Sequence, residues 1–466
     1  MLKKILFGLT YIHLSVASFL NVEAGGYSAL YSTRNPFDEN THEMFVNPWF
    51  QKEVEASKTL TDTQKQRLKD MPAAYWVDTQ SAIQTRTPSL NSLLQEASHY
   101  AKQTSKKVTV MFIHYNLPNR DCSASASNGE ICCSGNPPNP NTGSCDDSSY
   151  TSGDCSKGLN KYHSYTDEVY QVVSKYPELE IVALIEPDSL PNLATNLGKL
   201  PHCTETTKQS YVNGVGYAIK KLSQISNLQL YIDVGHGGWL GWCGNHPCKE
   251  SSECGSNNKC MRGYCECPAD RLDQNSQTFV STIKDIFNLA GQDAVLKIRG
   301  FATNTANYQP LGYPDDTDHC MLGSQWNFAY NELRYIDQMD ALFKKNGISK
   351  NWITDTGRNG VPEMRSSAQQ CQNWCNVKGG LGLRPTSQVQ ELQKLLQSAS
   401  LDAVVWSKTP GESDGCSPGS GQQCTRVDQM CQRDCQSEFQ KCPAPEAGQW
   451  DDDMIKYLSD HAQPQL

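Results

Sequence analysis

The chain has 466 residues, a formal net charge of −9 and twenty cysteines. That charge argues against nucleic acid, anionic lipid or a polyanionic glycan as the main partner, and a neutral substrate fits better. Twenty cysteines are too many for a reducing compartment, and they read as disulfides rather than metal ligands because they sit in Gly/Asn/Ser-rich loops without paired C-x2-C knuckles and following histidines.

At the start, Lys3 and Lys4, the apolar run Ile5 to Leu20 and the small-residue stretch Val22-Glu23-Ala24 have the pattern of a secretory signal. Residues 1–24 are therefore expected to be removed, and the protein to be secreted and extracellular. The run is too short, and too interrupted by Thr10, His13 and Ser15, to anchor the chain in a membrane. Residues 25–466 read as one large domain, monomeric, that can bury a sizeable core without staples, so the disulfides are expected to fix loops.

Seven short apolar, β-branched runs follow: Ala74 to Val77, Val108 to Ile113, Ile181 to Ile185, Leu228 to Ile232, Lys297 to Ala302, Trp352 to Thr354 and Ala403 to Trp406. Helical periodicity lies between most of them, over Asn91 to Ser105, Tyr162 to Lys175, Lys208 to Ile225, Gln277 to Ala290, Ala329 to Asn346 and Ser387 to Ser398. Alternating strand and helix predicts a parallel sheet, and seven or eight such units in one domain predict a closed, distorted α/β barrel. One stretch breaks the rhythm. Cys243, Cys248, Cys254, Cys260, Cys265 and Cys267 crowd into residues 243–268, which read as a small disulfide-rich insert, an elaborated surface loop rather than a partner-binding module.

In such barrels the loops after the strand C-termini build the site. Here the exits carry Asp78; His114, Tyr115 and Asp121; Glu186 and Asp188; Asp233 and His236; Asn304; Asp355; and Lys408, Glu412 and Asp414. A lone strand-end Asp is usually a cap or turn residue, but seven polar exits in register point to chemistry. Glycines and tryptophans accompany them in Asp233-Val234-Gly235-His236-Gly237-Gly238-Trp239-Leu240-Gly241-Trp242. Inverting glycoside hydrolysis needs one protonated carboxyl for the leaving oxygen and a negative group to manage the attacking water, and sugar rings stack on tryptophan.

The blocks IEPDSLPNLATN (Ile185 to Asn196), DVGHGGWLGW (Asp233 to Trp242), GFATNTANY (Gly300 to Tyr308), WITDTGRNG (Trp352 to Gly360), WCNVKGGLGLRPT (Trp374 to Thr386) and KTPGESDG (Lys408 to Gly415) resemble glycoside hydrolase family 6 in content and order. That resemblance runs from Asn35 to Tyr457 and implies a distorted α/β barrel, cellulose and cello-oligosaccharides as substrates, inversion, and no metal or organic cofactor. It implies Asp188 as the catalytic acid, Asp121 as the aspartate that influences its protonation and the water route, and Asp414 as candidate base. Ser127 is similar to a serine holding the water chain, and Tyr115 to a tyrosine pressing on the sugar. Trp76, Trp239, Trp242 and Trp374 match stacking platforms, with His236, Asn304, Lys408 and Glu412 as hydrogen-bonding positions. Asp78, Asp233 and Asp355 are expected to orient loops and Arg358. By position, Cys122 would pair with Cys203 and Cys375 with Cys435.

Asn116 and Asn119 stand where aspartates are common in the family, and Ser413 where a cysteine often stands. Both cysteine-bearing loops, after Asp121 and after Lys408, are long. In the family this accompanies chain-end action, so a cellobiohydrolase is expected, with an endo-β-1,4-glucanase or an inactive secreted glycan-binding protein as alternatives.

Overall fold

The computed structural model describes residues 34–242, 248–254, 260–261, 264–265, 274–318, 327, 329–361, 373–419, 423–433, 435 and 440–465. The expected signal segment lies outside these residues, as does much of the 243–268 insert, including Cys243 and Cys267. What is described of that insert is a two-residue antiparallel ribbon of β6 (Cys260–Met261) and β7 (Tyr264–Cys265), with bridges Cys248–Cys260 and Cys254–Cys265.

Eight strands form the main sheet: β1 (His42–Met44), β2 (Tyr75–Val77), β3 (Lys107–His114), β4 (Glu180–Ile185), β5 (Leu228–Asp233), β8 (Ile298–Thr303), β9 (Asn351–Asp355) and β10 (Leu401–Val405). All pairings within it are parallel, in the order β3, β4, β5, β8, β9, β10. The remaining edge of β3 is shared, with β1 on its first half and β2 on its second. No ladder joins β10 back to β2 among the described residues. Instead the Ala74 N–H donates to the Trp406 carbonyl at 3.0 Å, and Trp76 Nε1 donates to the Ser407 carbonyl at 2.8 Å. The barrel is thus closed by side chains and single bonds at one seam, which is its distortion.

The strands read as continuous apolar runs because both faces are buried. Along β3, Val110 and Phe112 join the layer facing the helices, whereas Met111 and Ile113 point into the barrel. The same alternation sends Ile181, Ala183 and Ile185 outward and Val182 and Leu184 inward. Helices Leu90–Ala101, Ser156–Val173, Glu205–Leu222, Gln274–Ala290 and Glu332–Lys345 cover the outside where periodicity predicts them. The expected helix over Ser387 to Ser398 shrinks to Gln390–Gln393. There the backbone N–H groups of Gln397, Ser398 and Ala399 turn onto the Asp337 carboxylate at 2.7, 3.1 and 3.3 Å, an alternative to continuing the helix.

Bridges anchor the exit loops. Cys122 is bonded to Cys203, Cys132 to Cys145 and Cys133 to Cys155. Cys375 pairs with Cys431, which corrects the expected Cys375–Cys435 bond; Cys435 pairs with Cys442 seven residues on. The two candidates for Cys375 are one helical turn apart, and in the short helix Gln429–Arg433 it is Cys431 that turns inward, fully buried against Ala126 and Cys375. Because Cys122–Cys203 closes a separation of 81 residues, loop entropy assigns it about 4 kcal/mol. A Cys122→Ser/Cys203→Ser double variant should lose on the order of 3–4 kcal/mol in denaturant unfolding. A loss under about 1 kcal/mol would show that the exit loop is held without it.

Candidate active site

At the strand exits, backbone geometry departs from the ordinary. Asn119, Asp121, Glu186, Asp188, Asn304, Ala306 and Asn376 all have positive φ, between 48° and 62°. Each such non-glycine residue is strained by on the order of 1–3 kcal/mol and persists only where its surroundings hold it, a pattern that concentrates at functional sites. The restraints are visible. Glu186, fully buried, has Oε1 bonded to Tyr162 (2.8 Å), His114 Nδ1 (3.1 Å) and the Asn116 N–H (3.1 Å), tying the exit of β4 to the exit of β3. The Asp233 carboxylate accepts from the N–H groups of Asp188 and Gly235, both at 3.1 Å, so β5 fixes the backbone that carries Asp188.

Asp188 is half-buried and opens into a cavity, yet its Oδ1 is buried with no hydrogen-bond partner among the described residues. Burial, and then the charges of Asp121, Asp233 and Asp414, push its carboxyl well above the usual carboxylate range, against the pull of Arg358. Asp121 is raised for the same first reason, with hydrogen bonds from Ser127 and Tyr115 opposing. Tyr115 lies between these groups and Trp76: the Arg120 guanidinium sits 4.0 Å from its ring centroid, and Trp76 packs edge-on at 5.1 Å.

Asp414 is held differently. Its Oδ1 takes Arg358 Nη1 at 2.8 Å, and its Oδ2 takes Tyr308 at 2.6 Å and the Asn376 N–H at 2.9 Å. Lys408 pairs with Glu412 at 3.3 Å and stands 5.3 Å from the Trp76 centroid. One cavity gathers Trp76, Tyr115, Asp121, Ser127, Asp188, Trp374, Lys408, Glu412 and Asp414.

His236, Trp239, Trp242 and Asn304 do not line it. The first three lie on the turn after β5, where Trp239 Nε1 donates to Thr195 at 2.8 Å, on the helix that follows Asp188. In the sheet, β4, whose exit carries Asp188, separates β5 from the β2–β3 pair that carries Trp76. Asn304, expected to touch sugar, is fully buried, and its amide is committed to Gln309 and to the Asp355 carbonyl at 2.9 Å. It therefore orients loops. Asp78 pairs with Arg86 at 2.6 Å, and Asp355 accepts from Ser407, Lys408 N and Gly357 N, so these two also order loops, while Arg358 is held by Asp414 rather than by them. The substitutions have partners too: Asn116 donates to Glu130 at 3.0 Å, Asn119 accepts from Ser149 at 2.6 Å, and the Ser413 hydroxyl donates to the Pro445 carbonyl at 2.9 Å.

Sequence reasoning missed Tyr308, Arg120, Asn376 and Glu332. Glu332 accepts from the Gly237 N–H at 3.0 Å, and burial lifts it to about 8. Its signal was available in part, since a polar residue opening a helix opposite a glycine turn is a candidate anchor.

Burial lifts Asp233 to about 7. An unfolded aspartate titrates near 4, so the folded chain holds this proton longer, and the stability it contributes, present below pH ~4, is lost as pH rises through about 7. Asp233→Asn should flatten the decline of unfolding free energy between pH ~4 and ~7 by up to about one proton. Parallel curves for wild type and variant across that window would contradict a protonated Asp233.

Comparison with known proteins gives the family. A model described as Glycosyl hydrolases family 6 matches residues 38–137, 144–265 and 270–462. Exoglucanase 3 of Agaricus bisporus is 32% identical over 440 residues, covering 93% of this chain and 80% of that protein. A putative endoglucanase type B of Fusarium oxysporum is 32% identical over 400 residues, 85% of this chain and 69% of that protein. Among solved structures, the CcCel6A catalytic domain complexed with p-nitrophenyl beta-D-cellotrioside matches with a TM-score of 0.69 and 32% identity, over 93% of this chain and 99% of that one. CcCel6C, a glycoside hydrolase family 6 enzyme from Coprinopsis cinerea, matches at 0.71 with 28% identity over the same shares. With the family model covering nearly all of the barrel whose strand exits assemble these carboxyls, the chain belongs to glycosyl hydrolases family 6.

Proposed function

We propose that this protein is a secreted cellulase that hydrolyses β-1,4-glucosidic bonds with inversion, chiefly as a cellobiohydrolase releasing cellobiose. The observation that carries the reading is the environment of Asp188, a carboxyl pushed well above the usual carboxylate range by burial and by neighbouring carboxylates, opening into a cavity lined by Trp76 and Trp374. In this reading Asp188 gives its proton to the glycosidic oxygen, the leaving chain departs as an alcohol, and water attacks the anomeric carbon from the opposite face. The water's proton passes along Ser127 and Asp121 to solvent, which returns a proton to Asp188 after the products leave. Asp414, with both oxygens occupied, supplies fixed negative charge that steadies the cationic sugar through Arg358-anchored geometry. The leader-like segment and the bridged loops support secretion into an oxidising compartment.

Chain-end action is supported by contact between the two long loops. The Ser125 N–H donates to Asp428 at 2.8 Å, Ala126 packs on the Cys375–Cys431 bridge, and Gly143 lies against Arg426. Disulfides within both loops lower the entropy lost in staying closed. An endoglucanase is the second reading, favoured by the likeness to the Fusarium relative of that name.

Asp188→Asn should lose on the order of 10²- to 10⁴-fold in kcat on cello-oligosaccharides while still binding them, the range for a missing general acid. Retention of more than about a tenth of the rate would remove Asp188 from the role. Early hydrolysis followed by NMR should give the α anomer first, and a β product would demand a nucleophile instead. Viscosity of a soluble substituted cellulose should fall slowly against reducing ends released; a steep early fall would favour the endoglucanase.

A further inference from the structure

The cavity that holds Asp188 is also lined by a tryptophan that the reaction does not use. Trp49 lies in the first turn of helix Pro48–Ala56, opened by Pro48 and capped by Asn47, whose side chain accepts from the Trp49 N–H at 3.0 Å. The next residue, Phe50, is fully buried between the rings of Trp406 (6.4 Å) and Trp450 (6.2 Å). Adjacent helical residues diverge by about 100°, so anchoring Phe50 turns Trp49 out of the core. Trp49 is 37% exposed, and it lines the same cavity as Asp188, with Pro88, Arg426 and Gly448.

Contacts order these groups along the cavity. Tyr115 bonds Asp121 and packs on Trp76, Lys408 lies over Trp76 and pairs with Glu412, and the Glu412 backbone bridges to Trp450, against which Phe50 packs. Trp49 stands one residue before Phe50 on the same helical turn, and it lines this cavity together with Trp76 and Glu412, whereas Trp239 does not. Arg426 has Nε on Glu446 and Nη2 on the Ala447 carbonyl, both at 3.2 Å, which holds a planar cation at the same rim. A flat indole and a fixed guanidinium lining one cavity suit a pyranose ring, whose apolar face stacks while its hydroxyls accept hydrogen bonds.

We infer that Trp49 and Arg426 form a further glucosyl-binding subsite on the non-leaving side of the cleavage point, taking a third β-1,4-linked unit. This rests on the hydrolytic reading above and refines it. A chain seated on Trp49 is cut after its third unit, by the same water addition and proton transfer, so a minor share of cuts yields cellotriose from the non-reducing end.

The test is the cutting register on cellopentaose labelled at its reducing end. A cut after the second unit leaves the label in cellotriose, and a cut after the third leaves it in cellobiose. Wild type should put a measurable minor share of label in cellobiose, Trp49→Ala should cut that share about three- to tenfold, the worth of one stacking face, and Trp49→Tyr should restore most of it. No label in cellobiose with wild type, or an equal share in Trp49→Ala, overturns the subsite. If wild type hydrolyses no cello-oligosaccharide, it is the hydrolytic reading that fails. Calorimetry with cellopentaose then decides the subsite, for which a three- to tenfold weaker Kd in Trp49→Ala is expected and an unchanged Kd overturns it.

Discussion

The site depends on the crowding of acidic side chains at the top of the barrel. Desolvation and mutual repulsion make ionising Asp121, Asp188 and Asp233 together unfavourable, so protons are retained in the group. The proton is therefore a consequence of packing rather than of one hydrogen bond. Asp233 makes the point, since both its backbone hydrogen bonds favour the charged form and burial still lifts it to about 7. The same residue fixes the backbone of Asp188, so the geometry of the acid and its protonation have a common source.

Against this group stands the Arg358–Asp414 pair, almost wholly buried. A buried ion pair gains stability only when its remaining valences are met. Here most are: Tyr308 bonds Asp414 and lies 4.2 Å beneath the guanidinium carbon, the Ala306 carbonyl takes Nη2 at 2.5 Å and Asn376 supplies an N–H, while Arg358 Nε has no partner among the described residues. Two of those suppliers, Ala306 and Asn376, have positive φ. Local backbone strain is thus tied to satisfying the pair, and loss of either charge would leave both the strain and a buried ion uncompensated.

The barrel was legible in the sequence because strands buried on both faces leave unbroken apolar runs, and all seven expected runs overlap strands of the sheet. β1 was not legible: three residues, His42–Met44, carry no period. Ser387 to Ser398 failed because Asp337, 60 residues before Gln397, competes for its backbone N–H groups, and no local pattern records that. The polar exits were legible as a set, but not the division of labour within it. Asn304 looks as exposed in sequence as Asn376 or Asp188, and only tertiary hydrogen bonds reveal that its amide is already used. Cys431 and Cys435 are likewise equivalent in sequence, and only the burial of the helix that carries Cys431 separates them.

Rigid loops and a strained floor belong together. Residues with positive φ at the exits of β3 and β4 would relax if their loops could swing, and the restraints are placed to prevent it. Cys122, next to Asp121, is bridged to Cys203, and the Cys122 N–H is bonded to the Tyr211 hydroxyl at 3.2 Å. Asn119 is held by Ser149 and by the Cys133 N–H at 3.0 Å, so the bridges at Cys132 and Cys133 act on the same turn. A core of this size needs no staple to fold. The disulfides beside Asp121 therefore act locally, opposing the relaxation that would move one carboxyl away from the group whose crowding pushes the Asp188 carboxyl up.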